Sequence, residues 1–305
     1  MTGTNRDSPM RTTAIAFFAA LLALAATPGA AQTAPVAAAP TGPGYVLPET
    51  ETFELAGADG YPYQIFVSKP QGPAPDGGWP VLYVLDGNAM FAGFAETRRI
   101  QSMDDKSEVA KSIVVGVGFK TDKPYDNRRL LDFTGGPAPQ PWRDAFSKLP
   151  AGGWDKFLDF LTGKLRTDLN RRYGINPDRQ ALFGHSLGGL FALHALFTRP
   201  DAFHAIIAAS PSLFWHDQEM RKEEHDFVER LEAGKIQQVS RLMVVCGELE
   251  ETSLERDDAV AFAKRMEPMS AYGLRTKSEV YMGEGHITVP SRSVTSTLRF
   301  AFAWP

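Results

Sequence analysis

Several features that define common protein classes are missing from this sequence. It contains a single cysteine, Cys246, which excludes an intrachain disulfide and leaves too few thiolates for a structural zinc or iron–sulfur site. It has no long run of basic residues, and its 36 acidic residues outnumber its 32 basic ones, giving a net charge of -4. Such a run would be needed to neutralise a row of nucleic-acid phosphates, so nucleic acid is not an expected partner.

The composition also lacks the marks of disordered and fibrous chains. Hydrophobic residues make up 43% of the 305 residues and charged residues 22%, so the chain can bury a sizeable core. The 27 glycines and 22 prolines follow no Gly-X-Y period. This length and composition favour one large α/β domain over two smaller ones.

The N-terminus has the pattern of a secretory signal peptide. Arg11 precedes an apolar run at residues 14–26, and a stretch of small residues follows at 29–31. The apolar run is shorter than the roughly 20 residues that cross a bilayer, which leaves a retained membrane anchor as the alternative interpretation. No cysteine stands at the cleavage site to carry a lipid.

These patterns divide the chain into three parts. We expect a signal peptide at residues 1–31, cleaved after Ala31, and a flexible linker rich in alanine and proline at 32–44. The folded domain is expected at 45–305. The mature protein is then periplasmic or secreted, without a stable membrane anchor.

Short apolar runs predict a sheet. The first two, at residues 52–55 and 63–67, are separated by glycine and proline and favour an antiparallel pair. Six further runs are nearly continuous in apolar character, as in parallel strands covered on both faces; they lie at residues 81–85, 112–117, 180–183, 205–208, 242–245 and 278–281. Helical patterns lie between several of them, at residues 154–173, 190–198, 218–232 and 257–272. The alternation predicts an α/β fold with a doubly wound, mostly parallel sheet and an N-terminal antiparallel strand pair.

One predicted strand-to-helix junction has the pattern Gly-X-Ser-X-Gly, at residues 184–188. A sharp turn there holds Ser186 in a strained backbone conformation, and the flanking glycines remove Cβ atoms where strand and helix meet. The Ser186 hydroxyl is thereby presented at the sheet edge as a candidate nucleophile. The backbone N–H of Leu187 points toward the oxyanion that its attack would form. The alternative is a glycine-rich turn with an incidental serine.

A serine hydroxyl needs a base, and six histidines are available. His286 follows the last predicted strand in a glycine-rich loop, where doubly wound folds place their active sites. The positions of the other five favour packing or surface roles; they are His185, His194, His204, His216 and His225. His286 is therefore the expected base, and an exposed loop histidine is the alternative.

The acid that orients the histidine is expected after the strand at residues 242–245, where Glu248, Glu250 and Glu251 compete. A solvated acidic loop is the alternative for the two that are not used. A second oxyanion donor is expected after an earlier strand, and the backbone N–H of Asn88 is the candidate. The alternative for Asn88 is a simple turn.

Five stretches resemble the esterase D-like superfamily of α/β-hydrolases, and within it the secreted trilactone esterases that open ferric enterobactin and salmochelin. They lie at residues 82–88, 129–134, 157–161, 183–191 and 209–215, and the resemblance extends from about Phe53 to the C-terminus. It implies an α/β-hydrolase fold. It also implies a serine esterase that forms an acyl-enzyme without metal or organic cofactor, with Ser186 as nucleophile and His286 as base.

The resemblance extends to other site residues. Hydrolases of this fold commonly carry the acid three residues after a glycine, which selects Glu250, although some siderophore esterases work with a serine–histidine pair. The resemblance implies that Trp215 and Arg129 bind substrate, the arginine by pairing with an anionic catecholate. The alternative for Arg129 is a structural bridge to Asp132 or another acid.

The stretch at residues 119–154 is expected to cover the substrate. Its glycines and prolines disfavour regular structure, while Phe133, Trp142 and Phe146 supply aromatic surface. Four basic side chains make the stretch locally positive, which suits an anionic, aromatic ester; they are Lys120, Lys123, Arg128 and Arg129. The alternative is a long surface loop whose aromatic rings pack on the sheet.

The sequence thus predicts hydrolysis of a small-molecule ester. An acyltransferase or a carbohydrate acetyl or feruloyl esterase would use the same serine turn, because one fold serves many acceptors. A non-catalytic ligand-binding protein on a hydrolase scaffold is the alternative from a different class.

Overall fold

An eight-stranded sheet forms the centre of the fold. The computed structural model describes residues 45–104, 106–140, 143–250 and 257–303. The strands lie in the order β1-β2-β4-β3-β5-β6-β7-β8. Their bounds are Thr50–Ala56 (β1), Pro62–Ser68 (β2), Trp79–Leu85 (β3), Ile113–Gly118 (β4), Ile175–His185 (β5), Ala205–Ala209 (β6), Arg241–Gly247 (β7) and Thr276–Tyr281 (β8). The predicted signal peptide and linker lie outside the described residues.

Strand direction decides where the loops meet. β1 pairs antiparallel with β2, and β2 with β4, while every other neighbouring pair is parallel. The predicted α/β class, with its mostly parallel sheet and N-terminal antiparallel pair, is therefore confirmed. The carboxyl ends of β3, β5, β6, β7 and β8 share one edge of the sheet, where ligands bind in such folds.

Helices cover both faces of the sheet. Their bounds are Gly87–Ile100 (α1), Arg128–Asp132 (α2), Arg143–Phe146 (α3), Trp154–Asp159 (α4), Arg166–Tyr173 (α5), Leu187–Thr198 (α6), Asp217–Glu232 (α7), Asp257–Met266 (α8) and Val289–Phe302 (α9). A π-helical segment, Phe160–Leu165, joins α4 to α5, and 3₁₀ turns lie at Gln101–Met103, Leu213–His216 and Glu267–Tyr272. Among the described residues, none of these helices combines the length and the apolar character needed to cross a membrane.

The structure differs from the predicted helices in several places. α1 and α9 are full helices that the sequence analysis did not predict, and they pack against each other. The predicted helix at residues 154–173 contains the π-helical segment, and the one at 257–272 ends as a 3₁₀ turn. The stretch at 119–154 contains the short helices α2 and α3, although its glycines and prolines predicted irregular structure.

The core has one apolar layer on each face of the sheet. Tyr83 of β3 belongs to the layer that includes Phe191 of α6. Its neighbour Val84 belongs to the opposite layer, together with Phe94 of α1 and Leu298 of α9. Successive residues of a strand point to opposite faces, so a strand covered on both faces is apolar at every position. This is why the central strands were recognisable as continuous apolar runs.

Candidate active site

Ser186 occupies the turn between β5 and α6 in a conformation rare for a side-chain-bearing residue. Its backbone angles are φ 60° and ψ -118°, and its side chain is buried. Its N–H donates to the carbonyl oxygen of Ala209, at 3.0 Å, which joins the turn to the end of β6. A non-glycine residue with such a φ is strained and persists only where surrounding contacts impose it. The strained turn expected at Ser186 is present.

A Cβ would clash at one of the nearby glycines and fit tightly at another. A Cβ at Gly184 would overlap with the carbonyl of Gly188, so strand and helix could not approach as closely as they do. A Cβ at Gly189 would lie 3.0 Å from the carbonyl oxygen of Ala209 and 3.1 Å from Cα of Pro211. At Gly188 the nearest atom would be 3.6 Å away, an ordinary contact. The steric argument made from sequence therefore holds for Gly184 but not for Gly188.

Glu250 and His286 meet at the same sheet edge, although they come from different loops. Glu250 Oε2 lies 3.4 Å from Nδ1 of His286. Glu250 Oε1 accepts hydrogen bonds from the Gly247 N–H and from the Ser210 hydroxyl, both at 2.6 Å. These two hydrogen bonds fix the carboxylate so that its other oxygen faces the imidazole of His286, the placement that orients the base in a serine–histidine–acid triad.

The other two candidate acids are placed differently. Glu248 Oε2 accepts the N–H of Gly283 at 2.9 Å, which ties the loop after β7 to the loop after β8. Glu251 lies outside the described residues. Of the glutamates in the described part of the chain, Glu250 is the one whose carboxylate the structure places against His286.

Ser186 has a hydroxyl neighbour that the sequence analysis missed. Its Oγ lies 3.2 Å from Oγ of Ser212, in the turn that follows β6. Ser210, which donates to Glu250, belongs to the same turn. The available signal was their position directly after an apolar strand, since the carboxyl ends of neighbouring parallel strands share an edge.

His185, the residue before the serine, contacts the loop of the expected base. Its Nε2 lies 2.8 Å from the carbonyl oxygen of His286, and the two imidazole rings are 4.7 Å apart. Because a carbonyl can only accept, Nε2 carries the proton and donates it. Burial lowers the pKa of His185 well below its usual value, and the nearby His286 and Arg129 lower it further. His185 is thus neutral and buried, and its hydrogen bond joins the end of β5 to the loop that contains His286.

This neutral histidine predicts a pH dependence of stability. The unfolded chain binds a proton at position 185 below about pH 6.5, whereas the folded chain resists it, so stability is lost as the pH falls below that value. His185→Gln should remove about 1.4 kcal/mol per pH unit from the acid dependence of the free energy of unfolding, which urea titrations between pH 7 and pH 5 measure.

A matched control is His225→Gln, since His225 is exposed. It should leave the acid dependence unchanged. His204, whose pKa burial also lowers, is present in both variants and cancels from the comparison. An identical acid dependence in His185→Gln and the wild type would mean that His185 is not a buried neutral group.

Arg129, expected from the resemblance to bind substrate, forms a buried ion pair in the structure. Its Nε and Nη2 atoms donate to the two carboxylate oxygens of Asp86, each at 3.0 Å, and the side chains are only 4% and 1% exposed. Nη2 also lies 3.5 Å from the carbonyl oxygen of His185. The guanidinium is therefore an internal bridge between the ends of β3 and β5. The bridge alternative describes it, with Asp86 as the acid, because Asp132 pairs with Arg128 instead.

The aromatic side chains expected to face the substrate are packed inside. Trp215 is 1% exposed and lies against Phe146, with 6.1 Å between ring centroids. Phe133 is fully buried between Phe119, Phe157 and Phe191. Trp142 lies outside the described residues. Apolar burial thus favours the alternative for this stretch, aromatic rings packed on the core, over an aromatic cover.

Most of the basic side chains of the same stretch form ion pairs with carboxylates. Arg128 pairs with Asp59 and Asp132, and Lys120 pairs with Glu54 at 2.8 Å. Burial raises the pKa of Asp132 to about 6, even though Arg128 and the Tyr63 hydroxyl favour its ionised form. These pairs cancel much of the positive charge that the sequence suggested for a substrate surface.

The two expected oxyanion donors lie at helix starts on the site edge. Leu187 is the first residue of α6 and Asn88 the second residue of α1, so their N–H groups belong to first turns, where amides lack partners within the helix. Asp86, in a left-handed conformation, precedes α1 and accepts at its carbonyl from Ala89 and Met90. The Asn88 side chain points away and bonds the backbone of Phe119 and Thr121. Among the described residues, no cluster of three or more potential ligands is suited to a metal ion.

The strand order and the strained serine after β5 define an α/β-hydrolase fold. Over residues 58–288 the sequence matches the family described as "Putative esterase". The chain belongs to this esterase family.

Named relatives agree with the family match. The chain is 36% identical over 271 residues to the ferri-bacillibactin esterase BesA of Bacillus subtilis, covering 84% of this chain and 91% of BesA. It is 34% identical over 290 residues to the siderophore triacetylfusarinine C esterase of Aspergillus fumigatus, covering 85% and 95%. The crystal structure of the BES protein from Bacillus cereus aligns with a TM-score of 0.73 at 33% identity, over 86% of this chain and 98% of that one. The protein is a carboxylic ester hydrolase that resembles siderophore esterases.

Proposed function

We propose that this protein hydrolyses siderophore esters through an acyl-enzyme, with Ser186, His286 and Glu250 as its catalytic residues. One observation carries the proposal: a strained serine after β5 and a buried glutamate–histidine pair from the loops after β7 and β8 share one sheet edge. The hydrogen bond from His185, the neighbour of Ser186, to the carbonyl oxygen of His286 supports the pairing of serine and histidine.

In the proposed acylation, Ser186 Oγ attacks the ester carbonyl carbon while His286 takes the hydroxyl proton. The tetrahedral oxyanion accepts hydrogen bonds from the N–H groups of Leu187 and Asn88. His286 then gives its proton to the leaving alcohol oxygen as the C–O bond breaks, which leaves an acyl ester on Ser186. A water molecule repeats the cycle, giving a proton to His286 and releasing the acid and the serine hydroxyl. Glu250 stabilises the imidazolium in both halves.

The substrate class is supported by the relatives, two of which are named as esterases of the siderophores ferri-bacillibactin and triacetylfusarinine C. A siderophore ester is large, so it needs surface beyond the reacting atoms. Exposed apolar side chains neighbour the catalytic groups along the chain. Leu249 precedes Glu250, and Ile287 follows His286. Met282 lies in the loop between β8 and His286. Their exposed fractions are 67%, 43% and 73%, and they are suited to an aromatic or apolar part of the ester.

The anionic character proposed for the substrate has weaker support. Arg129 is buried against Asp86, and Arg128 is paired with Asp59 and Asp132. We therefore propose that contacts with the apolar side chains, rather than an arginine–anion pair, provide most of the recognition. Export is part of the same proposal; the signal-like pattern at residues 1–31 supports it, and N-terminal sequencing of the mature protein tests it.

A panel of substrates tests the proposed function. Ferric enterobactin and ferric bacillibactin should be cleaved with a kcat/KM at least about tenfold above that of p-nitrophenyl butyrate or a feruloyl sugar, because only the larger esters reach the apolar side chains. Product analysis should show free acid. A preference for the feruloyl sugar, or transfer of the acyl group to an added alcohol as the main product, would contradict the proposal.

A variant sharpens the same test. Leu249→Ser should raise KM for the siderophore ester about fivefold and leave p-nitrophenyl butyrate unaffected, since part of a leucine contact is lost. Met103→Ser is the matched control: Met103 is 91% exposed but follows the far end of α1, at the opposite sheet edge. Equal effects of both variants would exclude a role for the apolar side chains in binding.

A further inference from the structure

The turn after β6 contacts both the proposed nucleophile and the proposed acid. It consists of Ser210, Pro211 and Ser212, and the two serine side chains are fully buried. Ser210 Oγ donates to Glu250 Oε1 at 2.6 Å, while Ser212 Oγ lies 3.2 Å from Ser186 Oγ. Ser210 and Ser212, separated by one proline, thus contact Glu250 in the loop after β7 and Ser186 in the turn after β5.

The backbone of this turn is fixed from several sides. Ser210 has a φ of 44°, in the left-handed region that costs a non-glycine residue energy, and the ring of Pro211 restricts the next φ. The Ser210 N–H donates to Val245 of β7, and the Ser212 N–H donates to the carbonyl oxygen of Ser186 at 3.2 Å. The strain persists because neighbouring strands hold the turn, so its hydroxyls are held in place before any substrate binds.

The direction of the Ser212 hydrogen bond follows from the chemistry at Ser186. When Ser186 gives its proton to a base, its oxygen gains negative charge and can only accept. Among the described residues, Ser186 Oγ is the one hydrogen-bond partner of Ser212 Oγ, so the Ser212 proton is available to it. A donor already aimed at a developing negative charge stabilises it without reorganisation.

We propose that Ser212 is a positioning residue, whose hydroxyl donates to Ser186 Oγ and holds that oxygen for attack, and that the Ser210–Pro211–Ser212 turn links the acid to the nucleophile. The inference rests on the proposed function, because it takes Ser186 as the nucleophile. It adds a residue that acts through Ser186 rather than on the ester itself.

A fluorophosphonate probe tests the proposal on the purified protein. Ser186 Oγ bonds to phosphorus, fluoride leaves, and the serine proton passes to the base, so labelling reports attack alone. Ser212→Ala should lower the maximal labelling rate constant about tenfold, equivalent to about 1.4 kcal/mol, with half-saturation unchanged. The kcat for p-nitrophenyl butyrate should fall similarly, with KM unchanged. Ser212→Thr, which keeps the hydroxyl, should recover most of the rate.

The control is Ser240→Ala. Ser240 is also buried, but among the described residues its hydroxyl bonds the carbonyl oxygens of Pro200 and Phe203, away from the catalytic groups. It should lower the melting temperature without changing the labelling rate, which separates general loss of a buried hydrogen bond from loss of positioning. If Ser212→Thr does not fold, the comparison of Ser212→Ala with Ser240→Ala still decides.

The outcomes separate the two proposals. A wild-type protein that the probe does not label would contradict the serine mechanism itself. A labelled wild type with an equally fast Ser212→Ala would overturn the role of Ser212 while leaving the mechanism intact. A folded Ser212→Thr variant as slow as Ser212→Ala would also overturn it, because the hydroxyl would then not be what matters.

Discussion

Ser186→Ala is expected to lower kcat for ester hydrolysis by about 10⁴-fold or more while the protein stays folded. The variant removes the proposed nucleophile, and no acyl-enzyme can form without it. Alanine keeps the same Cβ in the strained turn, so the change adds no new backbone strain. Release of p-nitrophenol from p-nitrophenyl butyrate measures the rate, and the thermal unfolding midpoint checks the fold.

Ser112→Ala is the matched control for this experiment. Ser112 is as deeply buried and donates to the carbonyl oxygen of Val109, but it lies before β4, at the opposite edge of the sheet. Its activity should stay close to the wild type. Hydrolysis at the wild-type rate by folded Ser186→Ala would show that another group performs the attack.

Arg129→Met is expected to reduce the free energy of unfolding by about 3–5 kcal/mol, the usual cost of leaving a buried charge without its partner. The carboxylate of Asp86 would stay buried with nothing to neutralise it. Adding Asp86→Asn should recover part of the loss, because asparagine carries no charge and tolerates the left-handed conformation at position 86. Urea-induced unfolding of the three proteins at pH 7 provides the measurement.

The same variant distinguishes a bridge from a substrate contact. If Arg129 is a bridge, Arg129→Met loses stability, whereas a substrate contact would instead give a raised KM for the siderophore ester at unchanged stability. Arg99→Met is the control. Arg99 also forms a bidentate ion pair, but its partner Glu96 lies at the surface. Screening by solvent makes that pair weak, so the stability of Arg99→Met should stay near the wild type.

Much of the fold was predictable because its signals are local. The central strands are apolar at every position, and the glycine at 184 is dictated by the close approach of strand and helix after it. α1 and α9 were missed, although their buried faces are clear in the structure. α1 starts directly after a strand at Gly87, where the sequence analysis placed an oxyanion donor at Asn88, or a simple turn, but no helix. α9 follows the loop of His286.

The substrate contacts were the least predictable part. Arg129 and Trp215 were chosen by resemblance, but a side chain's exposure depends on what packs over it. Arg129 pairs with the buried carboxylate of Asp86, which follows β3, and Trp215 packs against Phe146. Leu249 stands among glutamates in the sequence, where no local pattern shows that its side chain is exposed to solvent.

The sequence alone determined the alternating strands and helices, the strained turn at Ser186 and the placement of His286 after the last strand, since each depends on neighbouring residues along the chain. Only the tertiary structure decided that Glu250, rather than Glu248, lies against His286, that Arg129 points inward, and that Ser210 and Ser212 reach the acid and the serine. These contacts join residues tens of positions apart, and their geometry is set by strand order and register, which no local pattern encodes.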